Sequence, residues 1–208
     1  MAKRPKPVRE RIIDAALALA EEKRWRDVSL GDIADGAKLS LSQLHKEFGS
    51  RAAIVAAILH RTDDAVVSGW DKSVMAEPAH DRVLDALLRR FEALKPYRKA
   101  IASILRDLPT DPVGVLCLAP GFYGSMVWTL ESAGIRTSGL AGHMRVKGVG
   151  AIYAAAFCVW LRDDSPDQSK TMAFLDKRLG QAERLAALLP FGIVGRRQPQ
   201  PQSKPGDA

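Results

Sequence analysis

At 208 residues, with 47% apolar and 26% charged side chains, the chain can form one large domain or a small and a medium domain sharing an interface, and it is too apolar to stay unfolded. The net charge of +7 favours a polyanionic partner, nucleic acid before an anionic membrane. Its two cysteines, Cys117 and Cys158, allow neither a disulfide framework nor zinc-ligand spacing; both lie in apolar stretches and are expected to be buried thiols in a reducing cytoplasm.

Five basic side chains crowd the first eleven residues: Lys3, Arg4, Lys6, Arg9 and Arg11. The stretch "IIDAALALA" that follows could pass for an export signal. Asp14 interrupts it, however, and Ile12, Ile13, Ala16, Leu17 and Ala20 fall on one face, which predicts an amphipathic helix from Pro7 to about Lys23. "RWRDV" is read as a loop. Ser29 opens "SLGD", a capping box, before a helix from Leu30 to about Ala37. Ser40 opens a second box, "SLSQ", before a helix from Leu41 to Phe48, and Ser50 caps a third, longer helix through Ile54, Ile58 and Leu59.

The later helices are longer. One starts near Asp81 and ends before Pro96, which opens the next. Pro112 and Pro120 bound an apolar segment running on through "GFYGSMVWTLESAG". Ser138 starts a helix reaching about Arg162. In "DDSPDQ", Ser165 is expected as N-cap, Pro166 at the first helical position and Gln168 in the box position of a last helix ending at Leu189. No segment alternates with period two, so the fold class is all-α. The longest apolar run, from Ala151 to Leu161, is too short to span a bilayer, so no transmembrane segment is expected. The expected division is a head over 1–50, a helical body over 51–190 and a disordered, proline-rich polar tail over 191–208.

Two short helices joined by the tight link "KLS" make a helix-turn-helix pattern. In the second, Leu44 and Phe48 turn inward at i, i+4. Ser42, Gln43, His45 and Lys46 then face outward, where the helix can enter the major groove of double-stranded DNA. Ser40 and Ser42 can bond phosphate or a base edge, Gln43 can pair bidentately with adenine, and Lys46 can reach phosphate or guanine. The helix start at Ser50, with Arg51 beside it, can hold another phosphate. Ser29 opens the supporting helix, Lys38 sits in the turn, and Arg4 and Arg9 belong to an arm that can follow the backbone.

From Arg9 to Leu59, "RERIIDAALALAEEKRWRDVSLGDIADGAKLSLSQLHKEFGSRAAIVAAIL" resembles the DNA-binding domain of TetR-family regulators. In that family a helix of the "IxxAAxxLxxExG" kind precedes "TSxxDIAxxAGVSxxTLYxHFxSKExLL". The spacing holds without gaps over about 50 residues. Lys38 stands where the family has glycine in the turn, Leu39 replaces valine, His45 replaces the tyrosine that commonly touches phosphate, and Arg51 replaces lysine. Leu41 at the start of the reading helix faces the groove or a thymine methyl. The resemblance implies a TetR-like fold, with a helix-turn-helix domain and a helical domain for dimerisation and ligand binding. It also implies a transcriptional regulator, most simply a repressor, in the cytoplasm.

In the last helix Met172, Leu175, Leu179, Ala182, Ala186 and Leu189 form a heptad seam. The helix before it is apolar nearly all round, with Ile152, Ala155 and Val159 forming one stripe. A helix apolar on all sides must be buried on all sides, which predicts a homodimer through a four-helix bundle. Two-fold symmetry would match a pseudo-palindromic operator. The glycine-rich apolar segment of the middle helices can line a pocket for an apolar small-molecule or lipid effector, with Trp70, Tyr123, Met126, Trp128, Tyr153 and Phe157 as lining residues. Such an effector would release DNA by favouring a dimer with wrongly spaced reading helices.

A second resemblance covers Trp160 to Leu185. "WLRDDSPDQSKTMAFLDKRLGQAERL" is similar to the C-terminal segment of the lipid-binding accessory protein of ubiquinone biosynthesis, which often carries "DxSPDxxxTxxFLxxR". That implies a lipid- or isoprenoid-binding alternative with a vestigial helix-turn-helix. Enzyme motifs are weak. There is no "GxSxG", "HExxH" or P-loop, and "GVGAIY" at Gly148 lies within a predicted helix. His45, His60, His80 and His143 have no His or Cys partner at ligand spacing. The expectation is a non-enzyme without cofactor or metal.

Overall fold

A computed structural model describes residues 6–68 and 75–188, with the backbone alone for the last two. Arg4, Trp70, Leu189 and the tail over 191–208 lie outside the described residues. All regular structure among the described residues is helical.

The head is α1 (Val8–Glu22), α2 (Leu30–Gly36) and α3 (Leu41–Glu47), wrapped around Ile12, Ile13, Ala16, Leu17, Ile33, Leu44 and Phe48. Pro7 is the N-cap of α1, a position that requires no amide hydrogen. α4 (Arg51–Ser68) leaves the head and runs into the body, formed by α5 (Ala79–Leu94), α6 (Arg98–Asp107), α7 (Pro112–Ser132), α8 (Gly139–Trp160) and α9 (Ser169–Leu188). α7 lies along α4, α8 packs between α7 and α9, and α1 rests on α6. The buried apolar residues form one continuous cluster from Ile12 to Leu179.

Two expected capping boxes are present. The Ser29 amide donates to Asp32 Oδ2 at 2.8 Å while the Asp32 amide donates to Ser29 Oγ at 3.0 Å. Ser40 and Gln43 repeat the exchange at 2.9 and 3.2 Å. The Ala53 amide donates to Ser50 Oγ at 3.1 Å, as a cap of α4 should. The Lys23 ammonium, 2.8 Å away, and the Ser29 hydrogen bonds hold the Asp32 carboxyl down to about 2.

The start of the last helix differs from expectation. α9 begins at Ser169, because Asp163 rather than Ser165 anchors the turn. The buried Asp163 carboxylate accepts from the amide and hydroxyl of Ser165, and from the Thr171 amide at 2.8 Å and hydroxyl at 2.7 Å. Burial opposes its ionisation, but these four donors outweigh burial and hold the carboxyl far below the usual carboxylate range. Gln168, with φ of +56°, breaks the helical path, and its side chain joins Trp160 to Glu92.

Two other expectations are corrected. Cys117 and Cys158 are exposed in the chain, not buried, because each falls on the outer face of its helix. Within the chain, α8 turns Tyr153, Ala156 and Trp160 into the body and leaves Ala151, Ala154, Ala155 and Cys158 as an exposed stripe flanked by half-buried Ile152 and Val159. In the heptad seam, Leu175 and Leu179 are buried within the same protomer, where α9 meets α5 and α8. Met172 is 42% exposed, and Ala182 and Ala186 are half-buried. The 3–4 spacing thus marks a face packed on the protein's own body. α7, by length and composition alone, is apolar enough to cross a membrane, although glycines and Pro120 break up its apolar run.

His80, near the start of α5, is clasped by α9: its Nε2 lies 2.9 Å from Asp176 and its Nδ1 3.3 Å from Glu183. Burial works against its charge, but the two carboxylates prevail and raise its pKa above the ordinary value of 6.5. Its contribution to stability is therefore complete below about pH 6.5 and fades as pH rises through the raised folded value. Thermal unfolding midpoints are expected to fall between pH 6 and pH 8 by more in the native chain than in His80→Asn; equal pH slopes would contradict the clasp.

Candidate nucleic-acid interface

The outward face of the head is built by α3. Leu44 is buried, so Leu41, Ser42, His45 and Lys46 point away from the core; Leu41 is 56% exposed. The side chains of Ser42, His45 and Lys46 form no hydrogen bond or ion pair among the described residues. Gln43 is exposed too, but its Oε1 accepts the Ser40 amide. Bidentate pairing with adenine therefore requires that bond to open or be shared, while the amide NH₂ stays free to donate.

Three N-cap serines open α2, α3 and α4. Ser29, Ser40 and Ser50 each accept a backbone amide through Oγ, which leaves each hydroxyl proton available to a phosphate oxygen. Between the starts of α2 and α4 lies an open groove of about 520 Å³, lined by Arg26, Ser29, Gly49, Ser50 and Arg51 among others. Lys38 occupies the turn with φ of +55°, the left-handed region, where the family pattern has glycine. Its side chain is exposed.

Several basic residues expected at DNA are used within the head instead. Arg51 donates through Nη1 to the carbonyls of Trp25, Arg26 and Val28 at 2.9, 3.2 and 2.8 Å, with its guanidinium 5.7 Å from the Trp25 ring centroid. It braces the loop rather than standing free for phosphate. Arg11 reaches the carbonyls of Ala37 and Lys38 and so fixes the turn of the helix-turn-helix. Arg9 remains exposed, with its guanidinium 4.4 Å over Phe48 at the end of α3. Lys6 pairs with Asp14 at 2.6 Å. No local pattern announces the Arg11 and Arg51 contacts, since their partners lie 23 to 27 residues away.

The residues expected to line a pocket differ in burial. Met126 and Tyr153 are fully buried and Phe157 half-buried; Tyr153 lies 4.9 Å from Phe91 and 5.0 Å from Phe157, ring to ring. Tyr123 is half-buried, its hydroxyl bonded to His143 Nδ1. Trp128 is 56% exposed, because the inner face of α7 is taken by Ser125, Met126, Thr129 and Leu130. The interior holds a polar group that was not anticipated: Arg90, wholly buried, bonded to Asp63, Ser125 and Thr129.

A helix-turn-helix head carried by a long helix on an all-helical body is the fold of the TetR-family regulators. The TetR transcriptional regulator from Nitrosomonas europaea ATCC 19718 matches with a TM-score of 0.69 at 22% identity, over 85% of this chain and 98% of that one. A TetR transcriptional regulator from Rhodococcus sp. RHA1 gives 0.60 at 20% identity, over 83% and 96%. Salmonella enterica GusR gives 0.52 at 16%, over 88% and 97%. In sequence, residues 12–58 match the family of bacterial regulatory proteins named for TetR, and residues 145–186 match the COQ9 family. No curated protein matches the chain.

Removing Arg51 takes a donor from the carbonyls of Trp25, Arg26 and Val28, of which Trp25 keeps the Val28 amide. Arg51→Ala is expected to destabilise the protein by about 1–3 kcal/mol in denaturant unfolding, with Arg51→Lys recovering only part because an ammonium lacks the planar fork. Unchanged stability would show that the clamp carries no load.

Proposed function

We infer that this protein is a DNA-binding transcriptional regulator, a repressor that grips a pseudo-palindromic operator as a homodimer and lets go when a small molecule enters the body. The observation that carries this reading is the uncommitted outer face of α3: Ser42, His45 and Lys46 are exposed on one helix and unpaired among the described residues, and Ser40 caps that helix. The likeness of residues 12–58 to the TetR-family model supports it. Phosphate contacts fall to Lys46, the N-cap serines and the exposed Lys38 and Arg9; base contacts fall to Gln43, Ser42 and Leu41. Dimerisation uses the exposed stripe of α8 around Ala151, Ala155 and Cys158, with Ile152, Val159 and the outer positions of α9, rather than the inward Leu175 and Leu179.

The COQ9 match keeps a lipid-binding accessory role as the second reading. Its favouring observation is the first half of α7, where Val113, Val115 and Leu116 are exposed. Against it, the shared motif residues serve the fold: Asp163, Ser165 and Thr171 build the turn, Leu175 is buried, and Arg178 stacks 5.3 Å from the Phe174 ring.

The deciding measurement is fluorescence anisotropy on a labelled duplex from the gene's own upstream region and on a scrambled duplex, across a salt series. Preference for the upstream duplex, weakening steeply with salt, is expected; weak and equal binding to both favours the lipid reading. Lys46→Ala should lower affinity for all sequences and flatten the logarithmic salt slope by about one. Gln43→Glu separates two roles, since glutamate preserves the capping box but has no amide donor. It should leave the unfolding midpoint near the native value while changing preference at one base position; unaltered base preference would remove Gln43 from the reading set.

A further inference from the structure

The outward helix of the head carries a capping side chain that is only half spent. Gln43 Oε1 accepts the Ser40 amide at 2.9 Å, and the Gln43 amide donates to Ser40 Oγ at 3.2 Å. The side-chain amide is therefore tied down by its oxygen at the start of α3. Its nitrogen, Nε2, forms no hydrogen bond among the described residues, and Gln43 is exposed. The cap itself does not call for that nitrogen. Asp32 closes the matching box of α2 with a carboxylate, which holds the Ser29 amide at 2.8 Å. A carboxylate also suits the positive end of a helix better than a neutral amide does. What glutamine adds at this position is a pair of N–H donors on a side chain whose acceptor is already taken.

The helix gives those donors a direction. Leu44 and Phe48 are buried, which places Ser42 and Lys46 opposite the core, Leu41 and His45 along one flank and Gln43 along the other. Leu41 and Gln43 stand two residues apart and face different ways, so they meet different base pairs. The first residues of a reading helix are the ones that reach base edges. In the major groove guanine shows two acceptors, N7 and O6, and thymine shows one, O4. Cytosine shows a donor, and adenine sets its N6 donor beside N7. Reading adenine takes both ends of a glutamine amide, and here one end is occupied. We propose that Gln43 is a donor-only reader, selecting a keto base, guanine or thymine, over adenine and cytosine at one position of each operator half-site.

This selectivity rests on the reading of the head as a DNA-binding domain, and it replaces the adenine pairing expected of Gln43. Turning Oε1 over to an adenine N6 amino group would take it from the Ser40 amide, so one hydrogen bond is exchanged for another with little net gain. Donating to guanine or thymine leaves the cap of α3 intact. Such a position accepts two of the four base pairs, those with guanine or thymine on the contacted strand. A side chain using both ends of its amide would accept one.

Selection of bound duplexes from a randomised pool, read by sequencing, tests the proposal on the full chain and on Gln43→Glu, Gln43→Met and Leu41→Ala. Glutamate keeps one oxygen for the Ser40 amide and turns the free end from donor to acceptor; methionine has neither. The native chain is expected to enrich guanine and thymine together at one position, about fivefold over adenine and cytosine, as one hydrogen bond allows. Gln43→Glu should reverse that position to adenine and cytosine, and Gln43→Met should accept all four bases there alike. Leu41→Ala should leave it unchanged and relax a different position. Enrichment of adenine alone at the position that responds to Gln43, loss of preference in Gln43→Glu without reversal, or no position that responds to either substitution would each overturn the proposal. Enrichment of particular sequences with a different code at that position refutes the donor-only role and leaves the regulator standing. A native chain that enriches no sequence refutes the regulator and this role with it.

Discussion

Between α1 and α2 the chain makes one 3₁₀ turn, Trp25–Asp27, in which the Val28 amide donates to the Trp25 carbonyl, and the single guanidinium of Arg51 in the first turn of α4 reaches the carbonyls of Trp25, Arg26 and Val28. The other side of the same loop is fastened to α6. The Trp25 amide donates to Ser103 Oγ at 3.0 Å, the Arg26 amide to Asp107 Oδ2 at 2.8 Å, and the Ser103 hydroxyl to the Lys23 carbonyl at 3.2 Å. This segment, with its 3₁₀ turn at Trp25–Asp27, is thus held between α4 and α6, and Ser29, the N-cap of α2, follows directly. The placement of α2, and through the Arg11-braced turn the placement of α3, depends on this double attachment.

The body shows the same economy of charged groups. Lys6, Arg11, Arg51, Arg61 and Arg90 are each committed to carbonyls or carboxylates inside the molecule. The surplus of positive charge that first suggested a polyanionic partner is therefore not all available to one. The cations that remain outward on the head include Lys38, Lys46 and Arg9. The motif shared with the COQ9 family has a comparable lesson. Asp163 gathers four donors because the chain must stop α8 and start α9 within a few residues, and any sequence making that corner the same way would carry the same letters.

Local physics was legible and distant physics was not. The boxes at Ser29 and Ser40, the cap at Ser50, the inward Leu44 and Phe48 and the helical class all follow from spacings of three and four residues. The roles of Arg11 and Arg51 depend on partners more than twenty residues away, and no periodicity encodes them. The start of α9 was misplaced because Ser165-Pro166 satisfies the rules for a helix start, whereas a buried Asp163 and a left-handed Gln168 supersede them. The heptad seam of α9 was real as a pattern, but pattern alone does not say whether the facing helix belongs to the same chain. For Arg90 a signal existed. It stands seven residues after Val83 and beside Phe91 on the apolar face of α5, where a cation has no reason to be unless something inside receives it.

The unbroken apolar cluster from Ile12 to Leu179 bears on how the molecule comes apart. Ile54, Ala57 and Ile58 of α4 belong to the same cluster as the side chains of the head, and α1 lies against α6. There is no apolar seam along which the head could melt while the body stayed whole. Heat or denaturant should therefore meet one cooperative unit, in which loosening a contact deep among α5, α7 and α8 also raises the population of chains whose reading helix has lost its footing.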